Sequence, residues 1–330
     1  MYVHHHGSGH LHRAQSVARA LGTPVTGLSS LPCPEGWPGE WVRLPRDDEG
    51  GHPDDPSAGG RLHWVPLHDR GLADRMHRMS EWLVAARPRA VVVDSSVEVV
   101  LLVRLHGVPV VGVVAPGRRH DAVHRLGLEA STALVAPWPS GWTRRLLPGL
   151  PDHVRDRVLA VGAISRFPVG SPRPAAERRR HVALLAGTRG DDFTAELVQS
   201  ARQQTPHWDW TVMSGVLGRW HPDPHAVIAD ADVVVTHAGQ SALAEVAAAR
   251  RPAVVVPQPR PYDEQDTTAA VLREGWPAVV TDGVPSNGWA ELLDAAHALD
   301  GEGWRAWCDG SAATRLATVV EDVAGRRSSP

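Results

Sequence analysis

The stretch GSGHLHR, residues 7 to 13, sets a histidine and an arginine directly behind two closely spaced glycines. Gly7 and Gly9 allow a tight turn from strand into helix and a close backbone approach to a ligand. The amides around Ser8, at the helix start, favour an anion. His10 then stands at the helix mouth, where an imidazole either serves as a general base or only caps the turn. Arg13 follows on the same helix. A dinucleotide fingerprint would need glycine where His12 stands, which excludes an NAD site of that type. In VVVDSS, Asp94 ends a buried strand. A carboxylate there is costly unless paired, so it either orients His10, as in a base with its acid, or caps the next helix. Ahead of the glycines lie His4, His5 and His6. Flanked by an apolar start and a turn, they are not expected to be a tag. In an extended strand they alternate between faces, so no metal cluster is expected of them.

The second half repeats the pattern of a loop after a strand. In LLAGTRGDD, Gly187, Thr188 and Arg189 form a turn that either cradles a phosphate or is purely structural. The most informative run is VVVTHAGQSALAEVAAARRPAVVVPQPRPYDEQ. A strand ending at Thr236 passes through His237 into a helix beginning between Ala238 and Ser241. Glu245 follows Ser241 by one turn, on the same face. The amides of Gly239, Gln240 and Ser241 suit phosphate oxygens, and Glu245 suits the vicinal hydroxyls of a ribose. Leu243 occupies the second-glycine position of a serine-hydrolase elbow and so excludes one. Asp230 and Asp232, a tempting D-x-D, precede their strand and are expected at the wrong end of the sheet for a metal-nucleotide site.

Composition narrows the chemistry. The chain has 330 residues, 34 basic and 37 acidic side chains and a formal charge of -3, so no global field draws it to nucleic acid or a membrane. Every basic residue is arginine, which rules out Schiff-base and Walker-lysine chemistry but leaves planar forks for phosphate. Cys33 and Cys308 lack a C-x-x-C neighbour, so neither a disulfide framework nor a structural zinc is indicated. The apolar run VEVVLLVRLHGVPVVGVV is interrupted by Arg104 and His106 and reads as helix then strand. A cytoplasmic protein with at most peripheral membrane association is expected.

The elements that must position these residues alternate. TPVTGLSS, RAVVVDSS, VPVVGVVA, TALVAPW and RVLAVGA read as strands in the first half. HVALLAG, DWTVMSG, ADVVVTHAG, PAVVVPQ and PAVVTDG do so in the second, with helical stretches between them. This predicts an α/β fold of two Rossmann-like lobes facing a central cleft, with ligands at the carboxyl ends of parallel strands. The expected domains are an acceptor domain over 1–165, a linker over 166–180, a donor domain over 181–305, and a C-terminal helix and tail over 306–330. The polar segment 46–60 reads as a surface loop, either a lid or disordered.

WHPDPHAVIADADVVVTHAGQSALAE and PQPRPYDEQD together resemble the donor motif of the GT-B glycosyltransferases, within them the branch that makes lipid II of peptidoglycan. The resemblance implies that Trp220, His237, Ala238, Gly239, Gln240 and Ser241 surround the diphosphate. It assigns Glu245 to the ribose, and Gln265 and Asp266 to the donor sugar. It matches Arg166 in ISRF to an arginine between the lobes and His10 to the base. The loop with Arg13 is also similar to that of related UDP-sugar hydrolases. The function implied is inverting transfer from a UDP-sugar, with no cofactor, since the nucleotide-sugar is a substrate. The acceptor is a small or lipid-linked hydroxyl compound, with Arg70, Arg118, Arg119 and His120 as its candidate contacts. The alternatives are UDP-sugar hydrolysis and a non-catalytic nucleotide-sugar binding subunit.

Overall fold

A computed structural model describes residues 1–49, 51–170, 179–187, 193–218 and 221–325. Its strands are β1 (Gly27–Ser29), β2 (Trp41–Arg43), β3 (Val91–Asp94), β4 (Val110–Val113), β5 (Ala133–Ala136), β6 (Val158–Ala160), β7 (Arg180–Leu185), β8 (Trp208–Met213), β9 (Val233–Thr236), β10 (Ala253–Val255) and β11 (Ala278–Val280). The longer helices are α1 (Ser8–Ala20), α2 (Arg70–Ala86), α3 (Val97–Leu105) and α4 (Ala122–Ala130). Two single turns follow, α5 (Thr143–Leu146) and α6 (Asp152–Arg155). Then come α7 (Ala195–Gln204), α8 (Pro224–Asp230), α9 (Gln240–Ala248), α10 (Glu264–Leu272), α11 (Trp289–His297) and α12 (Ala312–Gly325).

Each predicted strand is present, and β2, whose WVR carries no apolar run, adds one that the pattern does not announce. All paired strands run parallel. The chain divides into two compact units, each with its own sheet. The first contains Met1–Pro137, Leu147–Val161 and the C-terminal stretch from Ala313; the second contains Trp138–Leu146 and Gly162–Ala312. The boundaries thus differ from those expected. Residues 138–146 join the second unit because Trp142 meets Trp276 and Arg145 pairs with Glu274 at 3.1 Å. The C-terminal helix joins the first because Arg315 Nε donates to Val161 O at 2.8 Å.

In the first unit β3, β4, β5 and β6 form one ordered sheet and β1 and β2 another. Residues 1–3 lie between them: Tyr2 bridges both Leu28 and Val93, Tyr2 N donating to Val92 O at 2.8 Å. The first stretch of chain thus takes the central position of a Rossmann-type order, and the order reverses between it and β3. Its carboxyl end leads into Gly7, and that of β3 is Asp94. In the second unit the order is β11-β10-β9-β7-β8, which reverses between β7 and β9. Gly187 and His237 follow those two strands. Open parallel sheets bind ligands outside the carboxyl ends at such reversals, because loops there diverge to opposite faces and leave a crevice. Asp230 and Asp232 lie at the opposite end, where Asp232 Oδ2 accepts from His181 N at 2.7 Å.

Two sequence expectations change here. Residues 4–6 are not extended; the chain bends at His5 and His6, so their side chains do not alternate across a sheet. The 46–60 segment, in its described residues, forms turns rather than disorder. Asp54 bridges Leu67, and Val65 N donates to Pro56 O at 2.7 Å. No helix among the described residues is long and apolar enough to cross a membrane.

The floor beneath α9 is built from tryptophan. Trp304 is fully buried, donates from Nε1 to Arg251 O at 2.8 Å just beyond the helix, and stacks against Trp276. Replacing it with alanine leaves a large void and an unpaired carbonyl, so Trp304→Ala should cost about 3–5 kcal/mol in urea unfolding. A loss under about 1 kcal/mol would show that the site collapses without it.

Candidate active site

Several helices of the structure begin on a side chain that binds their free amides. Asp69 caps α2, Ser96 caps α3, Asp121 caps α4, Thr194 caps α7 and Asp223 caps α8. Helices α1 and α9 begin instead on Gly7 and Gly239, with no side-chain cap. The first amides of a helix need partners, and a start without a side-chain cap directs them outward, toward negative charge.

In the first unit Gly7 adopts φ 85, a left-handed conformation suited to glycine, and turns the chain into α1. His10 and Arg13, three residues apart, fall on one face and meet Asp94. His10 Nδ1 is 3.1 Å from Asp94 Oδ2, Arg13 Nε donates to the same oxygen at 2.9 Å, and Arg13 Nη2 donates to Oδ1 at 3.3 Å. Ser95, in the left-handed region at φ 65, adds its hydroxyl to Oδ1 at 3.1 Å. Burial alone would push the Asp94 carboxyl up. The Arg13 guanidinium and His10 outweigh it and hold the group well below the usual carboxylate range. Arg13 Nη2 also lies 3.3 Å from His10 Nδ1, but the carboxylate is the stronger partner. With Nδ1 turned to Asp94, the Nε2 edge of a side chain 23% exposed faces away from the carboxylate. The structure therefore brings His10 and Asp94 together. It gives Arg13, expected only as part of the glycine loop, the role of clamping Asp94.

In the second unit β9 ends in His237-Ala238-Gly239 and α9 follows. Gly239 N donates to His237 Nδ1 at 2.9 Å, and a Cβ on Gly239 would strike that ring. Burial, with Arg260 nearby, pushes the His237 imidazole down to about 4, which keeps the acceptor nitrogen neutral. Gln265 is buried. Its carbonyl accepts from Ala238 N at 3.1 Å and from Gln258 N at 2.9 Å. Gln265, which the resemblance assigns to the donor sugar, thus braces this loop with its carbonyl, and the amides of Ala238 and Gly239 are engaged within it. The first helical bond is Leu243 N to Gly239 O at 3.0 Å, so Ser241 N has no acceptor within the helix. Glu245 is buried and forks with Arg166, Oε1 to Nε at 2.8 Å and Oε2 to Nη2 at 3.3 Å. Burial pushes its carboxyl up, against the pull of Arg166. Two residues that the resemblance names separately are thus a pair. Asp266 is exposed on the first turn of α10. Just before it, Tyr262 and Asp263 hold φ 63 and 52, strain of the kind that collects at binding loops.

Thr188, Arg189 and Trp220 lie outside the described residues, and Gly187 stands two residues past β7. Among the acceptor candidates, Arg119 is spent internally, donating to Pro116 O at 3.1 Å and lying 3.0 Å from His124 Nε2. Arg118 and His120 are exposed, and Arg70 heads α2 in solvent. Ser95 is the functional neighbour that sequence reasoning passed over; its place directly after Asp94 was the available signal.

Residues 183–280 match the model of the glycosyltransferase family 28 C-terminal domain. The UDP-N-acetylglucosamine--N-acetylmuramyl-(pentapeptide) pyrophosphoryl-undecaprenol N-acetylglucosamine transferase of Granulibacter bethesdensis is 28% identical over 182 residues. That alignment covers 47% of this chain and 44% of the relative, so the match spans less than half of the relative's length. Among solved structures, Acinetobacter baumannii MurG superposes with a TM-score of 0.63 at 16% identity, covering 98% of each chain. Medicago truncatula UGT71G1 complexed with UDP-glucose does so with 0.67 at 13% identity, again covering 98% of each. These findings define a GT-B fold whose second unit contains the stretch that matches the glycosyltransferase family 28 C-terminal domain. Within that class the chain is similar to the peptidoglycan N-acetylglucosaminyltransferase, as its motifs imply.

A carboxyl held below its ordinary value stabilises the fold fully above about pH 4, the unfolded carboxylate range, and loses that contribution as the pH falls further. Asp94→Asn should therefore lower the urea midpoint at neutral pH, and its gap to the wild type should narrow between about pH 5 and 3. A gap constant over that range would show that Asp94 is not the group responsible.

Proposed function

We propose that this chain is an inverting glycosyltransferase. It moves a sugar from a nucleotide diphosphate donor, with UDP-sugars preferred, to a hydroxyl of a small-molecule or lipid-linked acceptor. The observation that carries the proposal is the glycine-started helix α9 with Glu245 one turn along it, inside the stretch that matches the family 28 C-terminal domain. Helix amides and Arg166 take up the charge of the departing diphosphate, which lets the displacement proceed without a metal step. The UDP preference rests on the names of two similar proteins, one a UDP-N-acetylglucosamine transferase and one complexed with UDP-glucose.

In the proposed step His10 Nε2 takes the proton of the acceptor hydroxyl as its oxygen forms a bond to the anomeric carbon. The bond from that carbon to the phosphate oxygen breaks, and its electrons leave with the nucleoside diphosphate. Asp94, fixed by Arg13 and Ser95, accepts from Nδ1–H and stabilises the imidazolium. Hydrolysis is the second function, favoured by the GSGHLHR loop, whose arginine clamps the acid behind the base. The two share every group above and differ in whether water or an acceptor reaches His10.

Incubation with a panel of UDP- and dTDP-sugars, followed by mass spectrometry, separates them. Transfer predicts nucleotide release only when an acceptor is supplied; release in buffer alone would favour hydrolysis, and no release under any condition would sink both. His10→Ala should lower turnover by roughly 10²- to 10⁴-fold with little change in nucleotide affinity. Unchanged turnover would dismiss the base. Glu245→Gln should weaken nucleoside diphosphate binding by roughly 10- to 100-fold, the worth of a charged hydrogen-bond pair, with a smaller change in kcat. Equal affinity in calorimetry would remove Glu245 from the donor site.

A further inference from the structure

The residues leading into the His10 loop carry a cluster that the displacement does not use. His5, His6 and Asp48 each bring one ligating atom within 4.8 Å of the others. His5 Nε2 and His6 Nε2 stand 3.2 and 3.0 Å from the same oxygen, Asp48 Oδ2. Two ligands of a tetrahedral zinc, each at about 2.0–2.1 Å, lie roughly 3.3–3.4 Å apart, so only a small adjustment converts these contacts into a coordination shell. The bend at residues 5–6, in place of an extended strand, is what lets consecutive histidines converge.

A second observation is independent of that spacing. His5 is 4% exposed, and neither of its ring nitrogens has a hydrogen-bond partner. Its Nε2 lies near Asp48 Oδ2 without the alignment of a hydrogen bond. A buried polar nitrogen left in this way costs free energy, and a cation at Nε2 removes that cost. Asp47 Oδ1, 3.8 Å from the same nitrogen, is likewise buried with no hydrogen-bond partner. The charge balance agrees. The carboxylates of Asp47, Asp48 and Glu49 face two guanidiniums, Arg75 near Asp47 and Arg46 near Asp48 and Glu49, which leaves one negative charge over.

We propose that His5 Nε2, His6 Nε2 and Asp48 Oδ2 form a site for a divalent transition-metal cation of the zinc class, with Asp47 Oδ1 within reach as a fourth ligand. Two imidazoles and a carboxylate select zinc, cobalt or nickel over magnesium and calcium, which favour oxygen shells. Arg46 forks the same carboxylate, Nε donating to Asp48 Oδ1 at 2.8 Å and Nη2 to Oδ2 at 2.6 Å, and so fixes its orientation, as outer partners of metal carboxylates do. The cation ties residues 46–48 to the segment just ahead of Gly7 and so steadies the start of α1. It is a tether beside the base and takes no part in the displacement.

Untagged protein, so that no added histidines compete, is stripped with EDTA and titrated with cobalt(II), following its visible absorption. One equivalent should bind, be displaced by zinc(II), and be indifferent to magnesium(II). His6 and Asp48 are partly exposed, so His6→Gln and Asp48→Asn should fold, as melting temperatures will check, and each should weaken cobalt binding by roughly 100-fold or more. Asp121→Asn, in the separate group of His63, Asp121 and His124, should leave the affinity unchanged. A wild type that binds no cobalt, or binding that survives both substitutions, overturns the proposal. Turnover enters none of these readouts, so failure here leaves the transferase proposal standing.

Discussion

A carboxylate buried at the carboxyl end of a parallel strand is the constraint around which the first unit is arranged. Removing Asp94 from water costs several kcal/mol unless it is paired and hydrogen-bonded. Its oxygens accordingly receive Arg13, His10 and Ser95. Each partner depends on something local. Arg13 and His10 share a face only if α1 starts where it does, and that start depends on the left-handed turn at Gly7. Ser95 reaches Asp94 from a left-handed conformation that a non-glycine residue adopts only under compensation. The carboxylate and its ring of partners are mutually supporting, so the fold itself holds the His10 imidazole in position.

The second unit meets a related problem with a neutral group. The loop between β9 and α9 exposes successive backbone amides at a strand end, and an unbonded buried amide is costly. Gln265 takes two backbone donors on one carbonyl oxygen, and His237 takes a third amide on a ring nitrogen that burial keeps unprotonated. With those groups satisfied internally, the loop keeps its shape and leads directly into the first turn of α9. A preorganised set of donors pays little reorganisation when a phosphate binds, which is the condition for strong electrostatic stabilisation of a leaving group.

Much of this was legible in the sequence because parallel sheets buried on both faces read as β-branched runs. The runs around Val91 to Asp94 and Val233 to Thr236 also mark the two strand ends that matter. The His10 and Asp94 pair was legible for the same reason, since both follow such ends. Strand β2 was not, because WVR is too short and too polar to stand out. The brace made by Gln265 was hidden because its partners are backbone groups, which every residue carries and no motif records. The convergence of His5, His6 and Asp48 was hidden because it needs a bend that period-two reasoning denies, and a partner more than 40 positions away. The division at 138–146 was hidden because it rests on Trp142 meeting Trp276, a contact set by tertiary packing.

The two buried carboxylates are shifted in opposite directions, and the difference follows from their partners. Asp94 has an arginine fork, an imidazole and a hydroxyl, and its carboxyl sits far below the ordinary range. Glu245 has the Arg166 fork, and its carboxyl is raised despite it. A carboxylate accepts about four hydrogen bonds, so Asp94 is close to saturated and Glu245 retains capacity. Saturation suits a group whose task is to hold an imidazole still through a turnover. Residual capacity suits one that must accept a ligand's hydroxyls, and each such bond would also favour the ionised form that Arg166 already supports. On the proposed function, donor hydroxyls at Glu245 would add to the pull of Arg166 toward the ionised carboxylate.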